Sequence, residues 1–143
     1  MNKENKLVPG LPSGFEDRWD KKLLLKKKLL KAIENNFIKF GAEALETPSF
    51  EISENIGSFL AEDDSNPMSD VFSFQDGEKS ITLRYDLSSP LARFVAQNNQ
   101  ELPSIFKRYQ IQNVFRNEKA GNGRYREFMQ ADFDIVGNVN PAQ

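Results

Sequence analysis

The 143-residue sequence contains neither cysteine nor histidine. The first absence excludes a disulfide framework and any thiolate metal site. The second removes the imidazole on which nearly all conventional zinc chemistry depends. Carboxylates, amines, hydroxyls and guanidinium groups remain for chemistry, and no metal site is expected. No apolar run is long enough to span a membrane. The start lacks the apolar stretch of a secretory signal, so a cytoplasmic location is the expectation. Internal repeats, low-complexity blocks and obvious linkers are also missing.

What is present fits one folded unit. Hydrophobic residues make up 38% of the chain and charged residues 28%, and there are twelve phenylalanines. That supports one domain with a core, whereas two comfortable domains would need more chain. The net charge of −2 hides a strong asymmetry. Residues 1–40 carry ten Lys/Arg against five acids (+5), residues 41–80 one against ten (−9), and residues 81–143 eight against six (+2). A module binding nucleic acid through bulk charge would be more basic. The basic residues of the last third are mostly arginines at particular strand positions, which suggests a site rather than a field.

Residues 1–13 read as a polar arm and residues 14–143 as the folded portion. Asp17 is a candidate N-cap for a helix to about Phe40, with Trp19, Leu23, Leu30, Ile33, Phe37 and Phe40 on one stripe. Leu24, Leu25 and Leu29 widen that stripe. Lys21, Lys22 and Lys26–Lys28 form a solvated face or a contact for tRNA or another acidic partner. Gly41 stops the helix. A strand is expected over 42–47 before Pro48, and a short helix over 52–60 with Ser53 as cap. The acidic loop at 62–67 reads as solvated rather than metal-binding. Asp76-Gly77 marks a hairpin between 71–74 and 80–84. Ser89 and Pro90 open a helix to about Asn98. Two strands follow, over 109–116 and 126–136. This order argues for an α+β fold with a largely antiparallel sheet and flanking helices.

The last two strands carry the chemistry. Strand alternation places Met129, Ala131, Phe133 and Ile135 on one face, and Arg126, Gln130, Asp132 and Asp134 on the other. In the preceding strand Tyr109, Ile111 and Phe115 oppose Arg108, Gln110, Gln112 and Arg116. Matching the apolar faces brings Arg116, Arg126, Gln130 and Asp134 onto one surface. Such a surface suits a ligand with phosphates at the loop end and a cationic group deeper in. A solvated outer face laced with ion pairs explains the same pattern. Asp86 and Ser88, two residues apart at a strand-to-helix junction, are either further site residues or simple turn and cap residues.

Several segments in order resemble histidyl-tRNA synthetase, a class II aminoacyl-tRNA synthetase, in the N-terminal part of its catalytic core. They are Leu11-Pro-Ser-Gly14, the long helix leading to Thr47-Pro48, Leu83-Arg-Tyr-Asp-Leu-Ser88, Phe115-Arg-Asn-Glu118 and Gly123-Arg-Tyr-Arg-Glu-Phe128, followed by Gln130 and Asp134. The resemblance implies a homodimer built through the first-motif region. It also implies ATP, with Mg²⁺ as part of the substrate complex and no tightly bound cofactor. Arg116 would bind the α-phosphate and help orient the histidine carboxylate. Glu118 would contact the adenine end, while Arg124 and Arg126 would assist the phosphates. Asp86, Ser88, Gln130 and Asp134 would form the histidine pocket. Many members have Glu at Asp86 and Asp134, Thr at Ser88 and His at Met129. The implied activity is formation of histidyl-adenylate and transfer to tRNA(His). The third motif and the anticodon-binding domain do not fit before Gln143, so residues 1–143 alone are expected to be inactive. The alternatives are the regulatory paralogue of ATP phosphoribosyltransferase and a non-catalytic dimerisation fragment.

Overall fold

Eleven consecutive residue pairs, from Ile105↔Gly137 to Phe115↔Glu127, join the last two strands into one antiparallel ribbon. The computed structural model describes residues 8–60 and 71–138, with the backbone alone for 57–60. The elements in chain order are α1 (Asp20–Lys39), β1 (Glu43–Ala44), β2 (Phe50–Ile52), α2 (Ser53–Leu60), β3 (Ser73–Asp76), β4 (Lys79–Leu83), α3 (Ser88–Asn98), β5 (Ile105–Phe115) and β6 (Glu127–Gly137). Among the described residues two three-stranded sheets result, ordered β1-β5-β6 and β2-β4-β3. Every strand pair is antiparallel except β1 with β5. The α+β expectation therefore holds, with one parallel exception. Residues 1–7 of the expected arm at 1–13, and the acidic loop at 62–67, lie outside the described residues.

Helix α1 starts later than the sequence suggests. Its N-cap is Trp19, without a side-chain capping bond. Asp20 takes a left-handed φ of 55°, a conformation Asp tolerates but a helix arriving from Asp17 could not pass through. Leu23, Leu30, Ile33 and Phe37 are half-buried as expected, whereas Trp19, Leu24, Leu25, Leu29 and Phe40 stay exposed. The buried stripe lies on the face of β5 and β6 that carries odd-numbered residues. Phe37 meets Tyr109 and Phe133 at ring distances of 5.8 and 5.6 Å. The Tyr109 hydroxyl donates to Glu34 Oε1 at 3.1 Å. Gly41, at φ 76°, ends the helix, and only Gly avoids a Cβ penalty there.

The strand expected over 42–47 shrinks to two residues. Its continuation is drawn away because the Thr47 N–H donates to the Gln112 side chain at 3.1 Å rather than to a strand. Pro48 then has no N–H to offer. The Asp76-Gly77 hairpin forms as read, with Asp76 opposite Lys79. In α2, Ser53 is the first helical residue, and its hydroxyl bonds Ser80 Oγ at 2.9 Å as well as Thr82 Oγ1. Helix α3 begins at Ser88, and the Ser89 N–H donates to Asp86 Oδ1 at 3.1 Å. Asp86, not Ser89, thus supplies the capping oxygen.

Polar side chains lock the two sheets and α3 together. Arg93 grips the buried Glu51 carboxylate through two bonds of 2.6 and 2.8 Å, tying α3 to β2. The buried Arg84 donates to Asn113 O at 2.6 Å and Thr47 O at 2.7 Å. Backbone bonds from Arg84 N to Ser49 O and from Phe115 N to Arg84 O continue that seam. Leu87, Leu91, Phe106 and Val114 are buried, and Phe94 of α3 meets Phe106 of β5 at a ring distance of 6.1 Å.

Candidate active site

Residues opposite each other in an antiparallel pair share a face. The register pairs Arg108 with Asp134, Gln110 with Asp132, Gln112 with Gln130 and Val114 with Phe128. A bond of 2.9 Å from Arg116 N to Arg126 O extends the ladder by one more row. Arg116, Arg126, Gln130 and Asp134 therefore stand on a single side of the ribbon, the side away from α1. Arg116 and Arg108 are eight residues apart, about 27 Å at roughly 3.4 Å per residue. Such a span suits an elongated ligand better than one compact anion.

At the loop end, Arg116 is held flat by aromatic rings. Its guanidinium carbon lies 4.4 Å from the Tyr85 centroid and 5.1 Å from that of Phe128. Nε also reaches Tyr85 O at 3.4 Å. Stacking of this kind fixes the plane of the fork while leaving its edge for an anion. Arg116, Glu118, Gly123, Arg124, Tyr125 and Phe128 line an open cleft of about 320 Å³. Glu118 and Arg124 face each other loosely across it at 3.9 Å. A larger hollow, about 700 Å³, lies beside residues 16–26. Among the described residues it is lined by 16–22 and Lys26, with both signs of charge, and these do not show the convergence of separate elements that the smaller cleft has.

Arg126 does not line that cleft. Residues 12–14 cross over it: its backbone N donates to Gly14 O at 2.8 Å, and Nη1 approaches Ser13 O at 3.5 Å. Its guanidinium rests on Phe72, 4.7 Å from the ring centroid. The opening segment 11–14 is thus part of the site's support.

The deep end is polar and buried. Arg108 and Gln110 are both fully inaccessible. Arg108 Nη2 lies 2.6 Å from Asp134 Oδ2 and donates to Leu87 O at 3.2 Å, while Nη1 donates to Gln110 Oε1 at 3.1 Å. The contact with Asp134 is a close ion pair without hydrogen-bond alignment, since Asp134 Oδ2 has no aligned donor. Burial pushes the Arg108 pKa down, and the charges of Asp134, Asp132 and Asp86 push it back up. Guanidinium basicity keeps it protonated throughout. Gln130 Nε2 donates to both oxygens of Asp132, at 3.1 and 3.0 Å, and its own Oε1 is buried without a protein donor. Asp86 is half-buried, and Ser88 is exposed at the start of α3. The bond from Arg108 to Leu87 O brings that loop alongside the Asp134 end.

Sequence reasoning missed three contributors. Arg84 and Arg108 look like ordinary strand arginines, yet each is buried and anchors a loop. Counting back from Arg116 by twos places Arg108 on the site face, but nothing in the spacing signals its burial. Tyr85, the aromatic support for Arg116, likewise gives no local sign of that role.

A long helix backing an antiparallel ribbon, with a stacked arginine at one end and carboxylates and amides at the other, describes the core of a class II tRNA synthetase. Residues 16–141 match the family model "tRNA synthetases class II core domain (F)", and the chain belongs to that family. Within it, the chain is 82% identical over 143 residues to the "Histidine--tRNA ligase" of Pelagibacter ubique (strain HTCC1062), covering all of this chain and 31% of that protein. The "Histidine--tRNA ligase" of Rhodopseudomonas palustris (strain BisB18) is 44% identical over 141 residues, which is 98% of this chain and 27% of that one. The crystal structure of histidyl-tRNA synthetase from Nostoc sp. PCC 7120 superposes with a TM-score of 0.75 at 29% identity, over 92% of this chain and 29% of that chain. The chain therefore spans about a third or less of the relatives it matches. An ATP phosphoribosyltransferase regulatory subunit/histidyl-tRNA synthetase from Bacillus halodurans shares the fold, with a TM-score of 0.78 at 23% identity.

Proposed function

We propose that this chain is the amino-acid- and ATP-binding part of a histidine--tRNA ligase, working in the cytoplasm as a homodimer. The histidine carboxylate attacks the α-phosphorus of ATP, releasing pyrophosphate and leaving histidyl-adenylate. The acyl group then passes to the 3′ end of tRNA(His). Arg116 holds the α-phosphate, Glu118 receives the adenine end, and Arg124 assists the outer phosphates, with Arg126 bracing that end. Mg²⁺ enters with ATP as part of the substrate complex. Asp86, Ser88, Gln130 and Asp134 accept and donate around the histidine ammonium and imidazole. Positioning and charge stabilisation carry the chemistry, and no protein nucleophile is needed.

The observation that carries this reading is the single face shared by Arg116, Gln130 and Asp134. It is supported by the buried Gln130 Oε1, an acceptor that an ammonium or ring N–H would satisfy. Dimerisation is supported by the exposed Leu24, Leu25 and Leu29 on α1. Histidine-dependent ATP–pyrophosphate exchange tests the assignment in the intact protein that carries this chain. Exchange is expected there, and Arg116→Ala should lower it by about a hundredfold or more. Residues 1–143 alone should show exchange far below the intact protein. An intact protein that binds histidine without ATP would favour a regulatory role instead.

A further inference from the structure

Arg108 sits at the base of the proposed histidine pocket without belonging to its expected residue set. Its side chain is fully buried, and it contacts two other segments as well as its own strand: β6 through Asp134, the loop before α3 through Leu87 O, and β5 itself through Gln110. The shortest of these contacts is to Asp134, whose side chain is 36% exposed. One end of the ion pair is therefore locked inside the protein while the other reaches the site face. We infer that Arg108 is a positioning residue that sets the Asp134 carboxylate for the substrate's cationic group. The inference deepens the proposed function and rests on it.

The physical case is one of degrees of freedom. An aspartate on a strand has two side-chain torsions, and a half-exposed carboxylate samples several rotamers unless a partner holds it. A guanidinium anchored through Nη2 on Leu87 O and through Nη1 on Gln110 Oε1 keeps its charge 2.6 Å from Asp134 Oδ2, and is such a partner. Lysine would keep the charge but, with one nitrogen on a flexible stem, could not reproduce both anchoring bonds in a fixed plane. The same fork ties the 86–88 loop to the Asp134 row, so one residue sets the spacing of both halves of the pocket. Partners that orient metal ligands matter by about 10–100-fold when removed, and the lower end of that range is the expectation for a positioned carboxylate.

The test uses the intact protein with histidinol, which keeps the ammonium and imidazole but lacks the carboxylate, and with ATP as a separate ligand. Calorimetry should show histidinol binding weakened about tenfold or more by Arg108→Met, with ATP affinity within about twofold of the parent. Arg108→Lys should recover part of the loss and guards against a Met variant that fails to fold. In an Asp134→Asn background, Arg108→Lys should add little, because both changes act through one carboxylate. Equal losses for histidinol and ATP, or additive losses in the double variant, would overturn the inference in favour of a general structural role. Should Asp134→Asn weaken histidinol while both Arg108 variants bind it normally, the positioning role alone fails. Normal histidinol binding by Asp134→Asn itself would remove the histidine-pocket reading and this inference with it.

Discussion

Gly14 shows how much a single residue of the opening segment contributes to the site. Its φ is 82°, and a Cβ placed there would stand 2.5 Å from Arg126 Cγ and 2.7 Å from Cδ. Alanine would therefore meet both backbone strain and a side chain already wedged against Phe72. Gly14→Ala is expected to cost about 1–3 kcal/mol, read as a lower urea midpoint. An unchanged midpoint would mean that residues 12–14 lift away without loss. At this scale the sequence was legible where spacing alone decides: Arg116, Gln130 and Asp134 share a face because strands alternate. It was illegible where burial decides, because Arg84 and Arg108 become anchors only when distant loops cover them.

Among the elements, α1 is tied to β5 by the bond from the Tyr109 hydroxyl to Glu34. The pKa of Tyr109 is raised by its burial first and by its bond to Glu34 second. A folded-state pKa above the unfolded value means stability is fully present below the unfolded tyrosine pKa, about 10. That stability is lost as pH rises through the higher folded value. Unfolding by urea measured between pH 8 and 11 should show a falling midpoint in the alkaline range, and Tyr109→Phe should flatten it. An identical alkaline slope in the variant would remove Tyr109 as the cause. Element existence was readable from pattern: every expected helix and the two site strands are present. Boundaries moved where side chains compete for backbone groups. Gln112 takes the Thr47 N–H and shortens β1, and Asp86 takes the Ser89 N–H as α3 starts two residues before the expected first-turn Pro90.

For the whole molecule, the exposed side of α1 matters most. Leu25 is 70% exposed and Leu29 60%, so polar replacements there leave the interior untouched. Leu25→Glu with Leu29→Glu should weaken self-association of the intact protein by roughly tenfold or more, seen by sedimentation equilibrium. Unaltered dimer mass would place the subunit contact elsewhere. The overall fold class was accessible from the alternation of helices and hairpins, whereas the division into two sheets was not. That division is set by which strands pair, and the Arg84 seam that holds the two sheets together joins residues far apart in sequence.

The paired rows of β5 and β6 also act as a ruler between the two ends of the site. Slipping the pairing by one residue would turn one strand's ligand-facing groups toward α1. Losing two residues from a strand would shorten the scale by about 7 Å at the same facing. The connecting segment at 117–125 lies beyond the graduated part. Changes in its length would reshape the phosphate mouth while leaving the distance from Arg116 to Asp134 as it is.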